Sequence, residues 1–209
     1  MRAESVTRIT NKKYRVVLGD GTALPLYAGE VRRFHIEAGE EIPDETLRVI
    51  REEILKKRAK LRVMNLLKSM DRTRGQLAAT LKKDGYPEDI AAAALDYAAS
   101  YGYIDDYRYI ENFIRSRAGK KSRRQIEYEL MQKGIGKEEI RAGFEAYMSE
   151  REDLGEEDPE TEAVRALVKK RCPDVSALDY EGRQKLMAYL VRRGFSLSVV
   201  KEVLSGSET

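Results

Sequence analysis

The sequence predicts a mainly α-helical fold: three tandem three-helix repeats in an elongated, curved array, preceded by a small N-terminal β-hairpin module. Three observations predict it. One segment recurs without gaps as TRGQLAATLKKDGY (residues 73 to 86), SRRQIEYELMQKGI (122 to 135) and GRQKLMAYLVRRGF (182 to 195). Each recurrence has helical apolar spacing before and after it. Ahead of the first, β-branched and aromatic residues alternate around a Gly-Asp-Gly turn.

The recurring segment reads as a capped helix. Its shared positions are a small capping residue (Thr73, Ser122, Gly182), an arginine (Arg74, Arg123, Arg183) and an apolar residue (Leu77, Ile126, Leu186). A leucine follows four residues later (Leu81, Leu130, Leu190), then a glycine (Gly85, Gly134, Gly194) and a closing apolar or aromatic residue (Tyr86, Ile135, Phe195). Cap, core stripe, glycine stop and post-helix contact each have a structural reason. The arginine has none, because the helix dipole disfavours a cation in the first turn. It is therefore the candidate for an external contact.

In chain order, residues 5 to 27 read as β. Val6 to Thr10 and Tyr14 to Leu18 form strands, with Tyr14, Val16 and Leu18 on one face. Leu24 and Leu26 continue the alternation, and Pro25 between them demands an edge strand. Helices begin near Pro43, where Asp44 and Glu45 complement the dipole and Leu47, Ile50 and Ile54 mark a buried stripe. The basic run Lys56, Lys57, Arg58, Lys60 and Arg62 then leads into Leu61, Met64 and Leu67. Flanking helices are expected near 57 to 69, 105 to 117 and 160 to 171, and near 88 to 101, 137 to 149 and 197 to 204. The expected divisions are 1–55 (β module and linking helix), 56–102, 103–151 and 152–209. The last opens with an acidic joint, Glu150 to Glu160, that is expected to be solvated and to let the third repeat move.

The middle repeat carries the densest signal. Tyr107, Ile110 and Ile114 share a helical face with Phe113 beside them, and RSRAGKKSRR follows. That connector holds Arg115, Arg117, Lys120, Lys121, Arg123 and Arg124 without one acid. Ser122 and Gln125 then stand at capping-box spacing. Overall, 36% of residues are charged but the net charge is only +3, so the two signs are sorted locally. That balance argues against a protein that merely coats nucleic acid. The expectation is a soluble, cytoplasmic protein, since the single cysteine implies no oxidising compartment and no apolar run approaches the ~20 residues of a membrane helix; a monomer is expected as well.

Catalytic chemistry has little to draw on. One histidine (His35) and one cysteine (Cys172) cannot supply a zinc cluster or a histidine-based nucleophile system. His35 reads as packing or surface and Cys172 as a loop thiol. Gly119-Lys120-Lys121-Ser122 lacks the spacing of a phosphate-binding loop, and Ile114 stands where its first glycine belongs. No enzyme and no cofactor are expected. Of the third helices, the first unit's is nearly bare of the Arg, Asn, Gln and Lys groups that read base edges, the second's carries acids that would repel phosphate and the third's is short and mostly apolar, which disfavours sequence-specific DNA recognition. Phosphate contacts at the second helices' N-termini fit better, because dipole and arginine act together there.

GYIDDYRYIENFIRSR followed by SRRQIEYELMQKGI resembles the central signature of the RecX family. DRTRGQLAATLKKDGYPEDI resembles that family's first repeat and KLMAYLVRRGF its third, so the likeness spans roughly residues 56 to 205. Gly182 departs from the family's hydroxyl-type cap, and Ile110 stands where members often carry a smaller residue. The resemblance implies a non-enzymatic modulator of RecA that lies along the groove of the RecA–DNA filament. It would restrain filament growth, ATP hydrolysis and strand exchange, with weak binding to single- or double-stranded DNA. Arg74, Arg123 and Arg183 would face the filament, supported by Arg115, Arg117, Lys120, Lys121 and Arg124. Asp105, Asp106, Arg108 and Tyr109 match the signature too, and both an interface role and an internal role stay open for them. The rival readings are an independent DNA-binding protein or transcription regulator, and a passive scaffold for another partner.

Overall fold

The computed structural model describes residues 1 to 206. The mainly helical fold and the β module are as predicted. The chain divides into two compact units, Met1–Asp105 and Asp106 onward.

In the first unit, β1 (Ala3–Arg8), β2 (Lys13–Leu18) and β3 (Ala23–Tyr27) form an antiparallel sheet in that order. Alternation sends Val16, Leu18, Leu24 and Leu26 into the core. Pro25 lies on the edge strand opposite Arg15, where its missing N–H breaks no ladder. A short helix unforeseen in the sequence, α1 (Ala28–Arg33), follows directly. The Glu30 carboxylate accepts the Tyr27 N–H at 2.8 Å and pairs with Arg58, whose guanidinium also lies 4.2 Å from the Tyr27 ring centroid. A contact from a residue so distant in sequence is invisible to local pattern.

After Pro43 the backbone stays helical through α2 (Asp44–Arg48), a π-helical stretch Val49–Leu55, and α3 (Lys56–Leu67). The wider π turn shifts the phase of the buried face. Leu55, Ala59 and Val63 therefore fill the core, Met64 and Leu67 only flank it, and Leu61 is 65% exposed. Helices α4 (Arg74–Lys83) and α5 (Glu88–Ser100) complete the unit, and α5 packs on both α3 and α4. One core joins the sheet to all three of these helices.

The second unit holds two three-helix sets. The first comprises α6 (Asp106–Arg117), α7 (Arg123–Met131) and α8 (Lys137–Asp153) around Ile110, Phe113, Ile114, Ile126, Leu130 and Phe144. Tyr107, expected on that buried face, is exposed in the first turn of α6. The second set comprises α9 (Pro159–Arg171), α10 (Tyr180–Arg192) and α11 (Leu197–Gly206) around Val164, Val168, Leu186, Leu190 and Phe195. Much of the acidic stretch is helix, so only Leu154–Asp158 separates α8 from α9. Arg151 organises it by pairing with Glu156 at 3.0 Å and Glu162 at 2.7 Å, and Asp158 caps α9.

The three recurring helices stop identically. Gly85, Gly134 and Gly194 all take left-handed φ values, of 90°, 79° and 89°. The next N–H reaches back five residues in each case: Tyr86 to Leu81 (3.1 Å), Ile135 to Leu130 (3.4 Å), Phe195 to Leu190 (3.3 Å). These bonds satisfy carbonyls that a helix end leaves orphaned. The starts differ. Thr73 and Gln76 make the reciprocal capping box, whereas Ser122 caps α7 and the Gln125 amide turns instead to Glu129 at 3.3 Å. Gly182 is not a cap. Asp179 caps α10 by accepting the Gly182 N–H at 2.7 Å, so the helix starts earlier than the repeat alignment predicts. A side chain at Gly182 would stand 2.9 Å from that carboxylate and 3.1 Å from Leu178.

Candidate interaction surface

The connector between α6 and α7 is basic in sequence but largely neutralised in space. Arg115 pairs with Glu111 at 3.0 Å and with Glu150. Arg117 lies 3.6 Å from the Phe113 ring centroid and 3.4 Å from Glu129. Lys121 reaches Glu129 at 2.6 Å, and Arg123 reaches Glu127 at 2.8 Å while covering the Phe144 ring at 4.7 Å. Two cations of the run lack an acidic partner among the described residues. The Lys120 ammonium donates to the Ser116 carbonyl, at 3.3 Å, and Arg124 is exposed with its stem beside Gly194. The partner acids come from α6, α7 and α8, so a view of the connector alone misses them.

Glu129 is the hub of this charge set. The Lys121 ammonium holds its carboxyl below the ordinary carboxylate range, with Arg117 and Gln125 adding to the effect. A depressed carboxyl contributes stability above its unfolded value of about 4.3, and that stability is lost as pH falls through the folded value. Both side chains are partly exposed, so solvent screening keeps the contribution to about 1 kcal/mol or less. Glu129→Gln is expected to lower the urea midpoint at pH 7 and to flatten its decline in acid. Parallel pH profiles for the two proteins would contradict this.

The arginines of the repeat do have intramolecular work. Arg74 meets Asp96 of α5 at 2.5 Å, and Arg123 has the contacts just given. Arg183 keeps its spacing to Leu186 and Gly194, but the Asp179 cap leaves it fourth in α10 rather than first. The structure thus brings Arg115, Arg117, Lys120, Lys121, Arg123 and Arg124 together around one connector. Arg74 and Arg183 belong to other repeats. In the signature segment, Tyr109 packs on Phe113 with ring centroids 6.0 Å apart, and Asp105, Asp106 and Arg108 flank the start of α6.

The second helices' N-termini, expected to meet phosphate, already have intramolecular partners. Thr73 and Asp179 cap two of them. At α7, Ser122 accepts the Gln125 N–H and donates to the Arg193 carbonyl at 2.8 Å, which ties the second repeat to the third. Half-buried Glu160 sits there too. Burial pushes its carboxyl up, while the N–H groups of Arg123 and Ser196 pull it down. Sequence reasoning also passed over an exposed tyrosine group, Tyr97, Tyr101 and Tyr103, whose only sequence signal is the run YAASYGY.

Among the described residues no group of three His, Cys, Asp or Glu could hold a metal ion, and no helix is long and apolar enough to cross a membrane. Family models match three successive segments. They are the RecX first three-helix domain at residues 59–97, the second at 105–143 and the third at 158–204. Regulatory protein RecX of Mycolicibacterium vanbaalenii is 34% identical over 149 residues, covering 68% of this chain and 78% of that protein. Its namesake from Caldanaerobacter subterraneus subsp. tengcongensis is 29% identical over 201 residues, 96% of each, so that likeness includes the β module. Two solved structures share the fold. A regulatory protein RecX superposes with TM-score 0.62 at 22% identity over 97% of this chain and 98% of its own. RecX from Lactobacillus salivarius gives 0.63 at 19% identity, over 74% and 97%. With three consecutive domain matches and a relative of that identity, the chain belongs to the RecX family of regulatory proteins.

Proposed function

We propose that this protein binds along the groove of a RecA–DNA filament and restrains its growth, ATP hydrolysis and strand exchange. Family membership across all three repeats is the observation that carries the reading. Contact runs through cations left without acidic partners, chiefly Lys120 and Arg124. The internally paired Arg115, Arg117, Lys121 and Arg123 shape the surface around them, and Arg74 and Arg183 would face the filament from the other two repeats. A filament groove presents repeated protein and phosphate charge, so several weak contacts add through effective concentration. The protein acts as a monomer in the cytoplasm and catalyses nothing itself.

Titrating the protein against RecA filaments and against bare duplex separates this reading from a transcription regulator. The expected result is saturable association with filaments and weak duplex binding without sequence preference. Tight duplex binding with a steep salt slope and a preferred sequence would favour the regulator instead.

A further inference from the structure

In the first unit, three tyrosines project from the end of α5 without being used by the core. Tyr97, Tyr101 and Tyr103 are 37%, 63% and 50% exposed. Their rings run in series, with centroids 5.0 Å apart for the first pair and 6.2 Å for the second, the latter within 25° of parallel. Backbone geometry fixes them. Gly102 takes φ 70°, and the Tyr103 N–H donates to the Ala98 carbonyl at 3.0 Å, the same stop that ends the recurring helices. At two of those stops the residue after glycine is buried, Ile135 at 5% and Phe195 at 4%. Tyr103 at the matching place faces solvent, so folding does not account for it.

Cations line one margin of this group, while Asp96, paired with Arg74, and exposed Asp105 stand near Tyr97 and Tyr103 in sequence. Lys60 of α3 places its ammonium 4.2 Å from the Tyr97 ring centroid. Lys57 and Lys68 lie on the same edge of α3 by helical spacing, both exposed and without an ion pair among the described residues. Aromatic faces in series with a cationic margin match the two halves of a single strand, unpaired bases and phosphates. Duplex offers no free base face, and an acidic peptide would leave the rings idle.

We propose that Tyr97, Tyr101 and Tyr103, with Lys60 at their margin, form a stacking platform for roughly two or three unpaired bases of single-stranded DNA. The choice of DNA over RNA rests on the filament reading; the platform does not, so its test uses bare strands without RecA. The chain holds twelve tyrosines and no tryptophan, so its intrinsic fluorescence is tyrosine emission, and stacking quenches it. The full chain is titrated with oligo(dT), with oligo(U) and with an abasic sugar–phosphate oligomer. Oligo(dT) should quench and bind, while the abasic oligomer binds about tenfold more weakly or worse. Tyr101→Ala with Tyr103→Ala should weaken oligo(dT) by about tenfold or more, and the matching Phe pair should retain affinity. Both positions are exposed, and circular dichroism checks that the variants fold. Unchanged oligo(dT) affinity in the Ala pair, or equal affinity for the abasic oligomer, overturns the platform. Tighter binding of oligo(U) overturns the assignment to DNA. Restraint of RecA by the same preparation is scored separately, so either reading can fail alone.

Discussion

Gly194→Ala is expected to destabilise the second unit by about 3 kcal/mol. Two independent terms produce that figure. The left-handed φ of 89° costs an L side chain about 1–2 kcal/mol. The new Cβ would also stand 2.8 Å from the Ser122 hydroxyl oxygen and 3.4 Å from the Arg124 stem. Ser122 cannot retreat cheaply, because its hydroxyl donates to the Arg193 carbonyl at 2.8 Å while accepting the Gln125 N–H at 3.3 Å. Displacing it leaves buried groups unsatisfied, at about 1–3 kcal/mol. The lower entropy of the unfolded alanine chain returns only about 0.4–1 kcal/mol. In a unit of this size the melting temperature should fall on the order of 10–20 °C.

Gly102→Ala is the internal control. Its φ is 70°, but nothing lies within 4 Å of the added carbon, so only the backbone term of about 1–2 kcal/mol remains. A Ser122→Ala background should shrink the Gly194→Ala cost, because the clashing oxygen is gone. Equal losses at Gly102 and Gly194 would mean that the repeat contact at Ser122 contributes nothing. Differential scanning calorimetry of the wild type and the four variants decides it.

Those two glycines also show what is legible in a sequence and what is not. The stops at Gly85, Gly134 and Gly194 can be read because a left-handed residue at a helix end leaves a local signature, glycine followed by an apolar residue. The caps at Thr73 and Ser122 are legible for the same reason. Gly182 misleads, because alignment on the core positions extends the capping role to a residue that Asp179 already serves from three places earlier. The π-helical stretch Val49–Leu55 has no local signature, and it rotates Leu61 out to solvent.

The candidate surface is harder to read than the fold. Its cations are contiguous in sequence, but their partners Glu111, Glu127, Glu129 and Glu150 are set by the packing of α6, α7 and α8. Charge density along the chain therefore overstates charge density in space. Arg123, which the repeat singles out, has Glu127 and the Phe144 ring as partners. Reversing its charge would disturb the helix as well as any interface, and a loss of function there would be ambiguous. Lys120 and Arg124 carry no such confusion.

Those two residues give the second large expected effect. Lys120→Glu with Arg124→Glu breaks no ion pair among the described residues and leaves the cores untouched, so helicity and melting temperature should hold. At an interface the double reversal swaps two attractions for two repulsions. Like charges brought face to face cost several kcal/mol, so association should weaken by at least about tenfold. The direct test is the rate of ATP hydrolysis by RecA on single-stranded DNA, measured as this protein is added. The wild-type chain should lower that rate in a saturable way, and the folded double variant should leave it close to that of RecA alone at the same concentration. Wild-type protein that leaves hydrolysis unchanged would contradict the RecA reading, and a variant that inhibits as well as the wild type would contradict the assigned surface.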